Sequence, residues 1–296
     1  MAEFLKARLE ALHRSQNADG GWGYFPGKDS WLEPTAYAAL ALHGQPAGDR
    51  AWKLLSSWQG QDGSWRPSER VNVANWGTSL CVTIALARAE FGVPLRQGVA
   101  WLLGSAGVET NWLGIWIARL HLSKADRDIS LRAWPWKPGN SSWLEPTVHA
   151  VVALRQVARA AASVGLDAAA NRTLAERART GEAQLWSVRG RDGGWNYGTP
   201  LALGIELPSY PETTALALVG LQGHAGLDPA FGVADAMLAK TPSPLASAWL
   251  TIARRLHGVN APEVAGELSQ DNMLTAIEAL GAPHGNWKLL QAGGLA

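Results

Sequence analysis

The chain has 296 residues, 47% apolar and 17% charged, with a formal net charge of +1. That is enough for a large core, and it leaves no basic footprint for nucleic acid or an acidic membrane surface. A single cysteine, Cys81, excludes an intrachain disulfide framework and suits a reducing compartment.

The opening stretch MAEFLKARLEALHRSQ is amphipathic and has no signal-peptide core, with Phe4, Leu5, Leu9 and Leu12 at helical spacing. No uninterrupted apolar run approaches the ~18 residues of a membrane span. A cytoplasmic protein is expected; membrane association and oligomeric state stay open. The first helix stops at Gln16-Asn17-Ala18-Asp19-Gly20-Gly21-Trp22, and after Pro26-Gly27 the run Ser30-Trp31-Leu32-Glu33-Pro34-Thr35 opens a second helix rich in alanine and leucine. Being apolar nearly all round, that helix should be buried.

The alternation then repeats. An outer helix over 48–58 ends at Gln59-Gly60-Gln61-Asp62-Gly63-Ser64-Trp65, and an inner helix runs from Thr78 to Ala89. An outer helix is expected at 95–104 and an inner one at 111–122, where Trp112 and Trp116 lie one turn apart. The polar stretch 123–133 is too short for a full outer helix. Residues 134–154, WPWKPGNSSWLEPTVHAVVAL, agree with 22–42, WGYFPGKDSWLEPTAYAALAL, at 12 of 21 positions without a gap. A longer outer helix over 167–188 ends in Arg191-Asp192-Gly193-Gly194-Trp195. After an insertion, a third copy, SYPETTALALVGL, spans 209–221, and helices follow near 228–239, 244–257 and 271–280. No strand is expected. Inner helices near 33, 78, 111, 145, 211 and 244 give six, and internal repetition of helix pairs predicts an all-α (α/α)6 toroid formed by one domain over 1–296, with the last helix blurring the count.

The segments LHRSQNADGGW, SSWQGQDGSW and LWSVRGRDGGW resemble the glutamine-tryptophan repeats of squalene-hopene and oxidosqualene cyclases. The run EPTAYAALAL is similar to the helix that follows such repeats in the terpenoid cyclase and protein prenyltransferase superfamily. The resemblance extends over about 3–290 and implies that Gln16, Trp22, Trp65, Gln184 and Trp195 staple outer helices to turns. It also implies a single barrel where squalene-hopene cyclases have two, and an isoprenoid-like apolar substrate. Class II cyclases protonate substrate with the middle acid of an Asp-X-Asp-Asp motif. Laid on that motif through Thr35-Ala36, Glu33 falls on the proton donor, and the repeat puts Glu145 and Glu212 at equivalent places. The rest of the motif is missing: the first acid is replaced by Trp31, Trp143 or Tyr210, and the last by Pro34, Pro146 or Thr213. Asp126-Arg127-Asp128 also lacks a third acid. No Asp, Cys and His set matches the prenyltransferase zinc site, and Cys81 reads as a buried, inert thiol, so neither metal nor cofactor is expected.

His149 lies four residues after Glu145, so both can share one helix face. A carboxyl near an apolar mouth should be a weakened acid, while a histidinium neighbour would oppose the shift; such a pair could hold a proton donor. The three glutamates could instead accept backbone N–H groups and close their helix starts. Trp31, Tyr37, Trp76, Trp112, Trp116, Trp143 and Tyr210 are candidates for an aromatic substrate wall, by cation-π contact, by stacking on sugars or as plain packing. The readings carried forward are three: a cyclase-like enzyme with Glu145 and His149 as acid, joined by Glu33 and Glu212; a non-catalytic toroid that binds a lipid or a protein; and a carbohydrate-active barrel pairing two of the glutamates.

Overall fold

Four helix starts are tied to the tryptophan turns before them through the hydroxyls of Thr35, Thr78, Thr147 and Thr214. The computed structural model describes residues 2–109, 128, 130–202, 205–262 and 266–293. Twelve α-helices are formed among them: α1 (Ala2–Ser15), α2 (Leu32–Ala41), α3 (Pro46–Ser57), α4 (Thr78–Ala87), α5 (Val93–Gly104), α6 (Leu144–Arg159), α7 (Ala161–Val164), α8 (Ala168–Ser187), α9 (Pro211–Gly220), α10 (Asp228–Lys240), α11 (Pro244–Leu256) and α12 (Asn272–Gly281).

The apolar helices α2, α4, α6, α9, α11 and α12 each pack on the next, and α12 returns to α2. This is a closed inner ring of six. The outer helices α3, α5, α8 and α10 each pack on the inner helix that precedes them in sequence, and α1 packs on α12. The fold is therefore the expected all-α toroid with a different sixth member. Residues 111–122 lie outside the described residues, α4 packs directly on α6, and α12 completes the ring. A second difference from expectation is a two-residue antiparallel ladder, Leu201–Ala202 with Ile205–Glu206, inside the insertion before α9.

Four tryptophans lock the turns. The indole N–H groups of Trp22, Trp65 and Trp195 donate to the carbonyls of Leu12, Leu55 and Leu185, ten residues back, at 2.9, 2.9 and 2.7 Å. Their backbone N–H groups donate to the hydroxyls of Thr35, Thr78 and Thr214. Trp134 does the same with Leu102 and Thr147, although no Asp-Gly turn precedes it. All four rings are buried, so each N–H meets a carbonyl that water cannot reach. The glutamine partners differ in part from expectation. Gln16 Nε2 donates to the Gly20 and Ala47 carbonyls, and Gln59 repeats this with Gly63 and Pro94. In the third copy Arg189 bonds Gly193, while Gln184 is buried with its Oε1 unpartnered and takes no part.

The turn glycine is obligatory where neighbours crowd it. Gly63 has φ +86°, and a Cβ there would lie 2.4 Å from the Gln97 carbonyl oxygen. At the opposite end of the ring, residues 286–293 run across the C-terminal ends of the inner helices. Asn286 bonds the Leu40 and Ala41 carbonyls, Gln156 and Gln222 bond the Leu289 and Leu290 carbonyls, and Arg155 bonds the Gly293 carbonyl at 2.5 Å. That segment covers this end of the toroid. No helix among the described residues is long and apolar enough to cross a membrane.

Candidate active site

The N-terminal ends of the inner helices gather at the other mouth. The N-cap residues of α2, α6 and α9 are Trp31, Trp143 and Tyr210, all in extended conformation. They are 37%, 37% and 43% exposed, so three aromatic faces stand open around the rim. Glu33, Glu145 and Glu212 occupy the second position of these helices and are half-buried below the rim.

The hydrogen bonds that Glu33 and Glu212 accept come from side chains and not from the backbone N–H groups of their helix starts. The three glutamates differ in the side-chain donors they receive. Glu33 has two: the Tyr24 hydroxyl donates to Oε2 at 2.5 Å, and Trp76 Nε1 donates to Oε1 at 3.1 Å. Glu212 accepts the Tyr197 hydroxyl. Glu145 receives no hydrogen bond from any described residue.

The two phenol donors, Tyr24 and Tyr197, share a position not singled out from the sequence, the second residue after each turn tryptophan, which holds Tyr24, Pro67, Trp136 and Tyr197. Its carbonyl accepts an N–H at the start of the inner helix behind it in the ring or, for Trp76, two residues before that start. Asn272 bonds Tyr24, Leu32 bonds Pro67, Trp76 bonds Trp136 and Leu144 bonds Tyr197, at 2.8–3.1 Å. The backbone role is constant, while the side chain varies from phenol to indole to proline. The cue was present in the aligned repeats, as an aromatic two places beyond the tryptophan.

Burial pushes the Glu145 carboxyl up to about 8, with the negative charges of Glu33 and Glu212 adding to the effect. Burial also raises Glu33, against the opposing pull of its Tyr24 and Trp76 donors. Tyr24 and Tyr197 are held above the ordinary phenol range, chiefly by burial and then by the carboxylates they face. The mouth thus holds a carboxyl that keeps its proton near neutrality, Glu145, beside two carboxyl groups that accept side-chain hydrogen bonds.

His149 does not supply the expected imidazolium. It is 2% exposed, burial pushes it down to about 3, and its Nε2 lies 3.0 Å from the Tyr37 hydroxyl. Its ring sits among Tyr37, Trp76 and Trp249, with centroids 6.0, 5.3 and 5.7 Å away. Tyr37 and Trp76, expected to face substrate, are buried in this cluster, which fills the interior between α2, α6 and α11. Trp249 belongs to it and was not anticipated. Trp112 and Trp116 lie outside the described residues, as do Asp126 and Arg127; Asp128 accepts the Ser130 amide and hydroxyl. The thiol of Cys81 is fully buried and pushed well above its usual value. No group of three His, Cys, Asp or Glu side chains suited to a metal ion occurs among the described residues.

Beside the rim, a cleft of about 620 Å³ runs along Trp31 between the first two turns. Its walls include Asn17, Asp19, Ser68 and the Asp29–Arg70 ion pair. A neighbouring cleft links the other side of Trp31 to Tyr24. These walls mix polar and apolar surface about equally, Trp58 and Val71 standing beside the charged groups.

No family model matches the chain, and no curated protein matches it in sequence. Solved structures do. A mannosylglycerate hydrolase of family GH63 from Thermus thermophilus, in complex with glucose, superposes with a TM-score of 0.57 at 14% identity, covering 93% of this chain and 98% of that one. The type II terpene cyclase MstE from Scytonema gives 0.52 at 18% identity, covering 88% and 73%. A protein from Actinoplanes gives 0.52 at 21%, covering 85% and 73%. At such identities the likeness establishes the fold: the chain is an α/α toroid of the architecture that terpene cyclases and glycoside hydrolases share.

Proposed function

We propose that the chain is an enzyme in which Glu145 acts as general acid on a carbohydrate-like substrate at the aromatic mouth, with a flanking glutamate as its charged counterpart. The observation that carries this is the graded supply of donors: two to Glu33, one to Glu212 and none to Glu145. Donors stabilise the anion, so the proton of the cluster settles on the carboxyl that lacks them. A merely structural trio would have no reason to differ in this way.

The fold is found with both glycoside and isoprenoid chemistry, and the character of the acid supports the former. An alkene is a very weak base and calls for a strong proton donor. A carboxyl held near 8 instead matches protonation of an oxygen leaving group near neutral pH, as general acid catalysis favours. Exposed Trp31, Trp143 and Tyr210, with clefts of mixed polar and apolar lining on either side of Trp31, suit the faces and hydroxyls of sugars, whereas the deeper aromatics that would shelter a prenyl chain are packed on one another. Glycosidases commonly use two carboxyl groups in this way.

The test is turnover of a panel of aryl glycosides and oligosaccharides beside prenyl diphosphates, polyprenols and squalene. Sugar release that Glu145→Gln abolishes, with an unchanged helical CD spectrum, supports the reading. Conversion of a prenyl substrate alone would transfer the same acid to cyclase chemistry, and sugar release retained in Glu145→Gln would overturn the assignment of the acid.

A further inference from the structure

Resting on that reading, we infer that Glu33, and not Glu212, is the charged carboxylate that works with Glu145, and that Tyr24 and Trp76 are the positioning residues that keep it ionised and aimed.

Both oxygens of Glu33 are met by donors from different elements: Tyr24 from the turn before α2 and Trp76 from the residue before the α4 N-cap. An indole N–H can only donate, so it matches an ionised or carbonyl oxygen and resists a proton on Oε1. The second donor fixes the carboxylate plane as well as its charge, because two bonds on two oxygens leave little rotation. Glu212 has one such tie, to Tyr197, whose ring is 43% exposed.

Trp76 also links the two halves of the pair. Its N–H holds Glu33 of α2, while its ring packs at 39° and 5.3 Å on His149, one turn below Glu145 on α6. Trp136 meets the same ring edge-on at 5.3 Å, and the Trp76 amide bonds the Trp136 carbonyl. The indole therefore cannot shift without disturbing the helix that carries the acid. Glu33 also contributes more than Glu212 to the electrostatic pressure on Glu145.

In hydrolysis, Glu145 gives its proton to the glycosidic oxygen as the bond from that oxygen to the sugar carbon breaks. Water adds to the carbon and loses a proton to Glu33, and exchange with solvent then removes that proton from Glu33 and returns one to Glu145. Glu33 must be ionised at the start of each cycle and Glu145 neutral.

The experiment is a pH titration by NMR of protein carrying ¹³C at glutamate carboxyls, for the parent chain, Glu33→Gln and Glu212→Gln, with Tyr24→Phe and Trp76→Phe as milder variants. The expected result is that Glu33→Gln raises the acidity of Glu145 by about tenfold or more while Glu212→Gln changes it less. On a substrate found in the panel, Tyr24→Phe and Trp76→Phe should move the acid limb of the pH-rate profile to higher pH; a structural role would lower the rate equally at every pH. Azide should restore turnover to Glu33→Gln, and a larger effect of Glu212→Gln on Glu145, or azide rescue of that variant instead, would overturn the inference. If the parent chain shows no glutamate titrating near pH 8, the proposed acid itself fails. If Glu33→Gln does not fold, the two milder variants decide through the same titration and limb.

Discussion

Trp136 stands nine residues before Glu145, as Tyr24 stands nine residues before Glu33, and this exchange of a phenol for an indole leaves the central acid without the donor its neighbour has. The backbone at both positions does similar work, the Tyr24 carbonyl accepting the first N–H of α12 and the Trp136 carbonyl accepting the Trp76 N–H just before α4. Trp136→Tyr should therefore preserve the turn while placing a hydroxyl within reach of Glu145. The expected outcome is a fall in the Glu145 titration midpoint, read by carboxyl NMR, and a base limb of the pH-rate profile moved to lower pH. An unchanged midpoint would show that the phenol at this position does not set the proton's place.

Stability should respond to pH in two opposed windows. Glu145 goes from an ordinary 4.5 to about 8 on folding, so between those values the folded chain holds a proton that the unfolded chain has released. Stability then falls as pH rises through this window, by roughly 2–4 kcal/mol for this group. His149 goes from 6.5 to about 3, so below 6.5 the unfolded chain binds a proton the folded chain refuses, and stability falls as pH falls. Urea melts of Glu145→Gln should lose the first slope and keep the second, and His149→Phe should do the reverse.

The turn tryptophans should be equivalent energetically despite their unequal motifs. Trp22→Phe and Trp134→Phe each leave a buried leucine carbonyl, of Leu12 or Leu102, without its indole donor. Each is expected to cost about 1–3 kcal/mol plus the packing lost. Denaturant midpoints of the two variants should shift alike; an unaffected Trp134→Phe would mean that the fourth staple bears no strain.

Two glycines with positive φ should respond differently to alanine. At Gly27, φ is +74° and nothing lies within 4 Å of the added Cβ, so only the backbone conformation resists, at about 1 kcal/mol. At Gly63 the added carbon also strikes the Gln97 carbonyl, and thermal melts should show a loss several times larger.

The toroid was legible because its signals are local and repeated: apolar helices, Asp-Gly turns and tryptophans recur at fixed offsets, and each states its own partner. Ring membership was harder, since it depends on which helix lies next to which. Residues 111–122 and α12 are both plausible inner helices in sequence, and only packing assigns the sixth place to α12. At the site, the glutamates and the exposed aromatics could be read from the repeat. The pairing of Glu145 with His149 could not survive contact with depth: one helical turn carries His149 from the half-buried mouth into an aromatic cluster that keeps it neutral. Tyr24 and Tyr197 escaped notice because their bonds span a turn, where spacing alone does not indicate which way a side chain faces.

Arg8 of α1 reaches Glu278 of α12 across 270 positions of sequence, and Ser15 and Gly23 bond the Asn272 side chain nearby. These contacts are the seam of the ring. An emerging chain can stack its helix pairs as they leave the ribosome, but the seam stays open until α12 has been made, and the carbonyl of Tyr24 waits for Asn272 throughout. Tyr24 also holds Glu33. The charge pattern of the mouth is thus among the last features to form, and a partly synthesised or clipped toroid would carry all three glutamates without the arrangement that tells them apart.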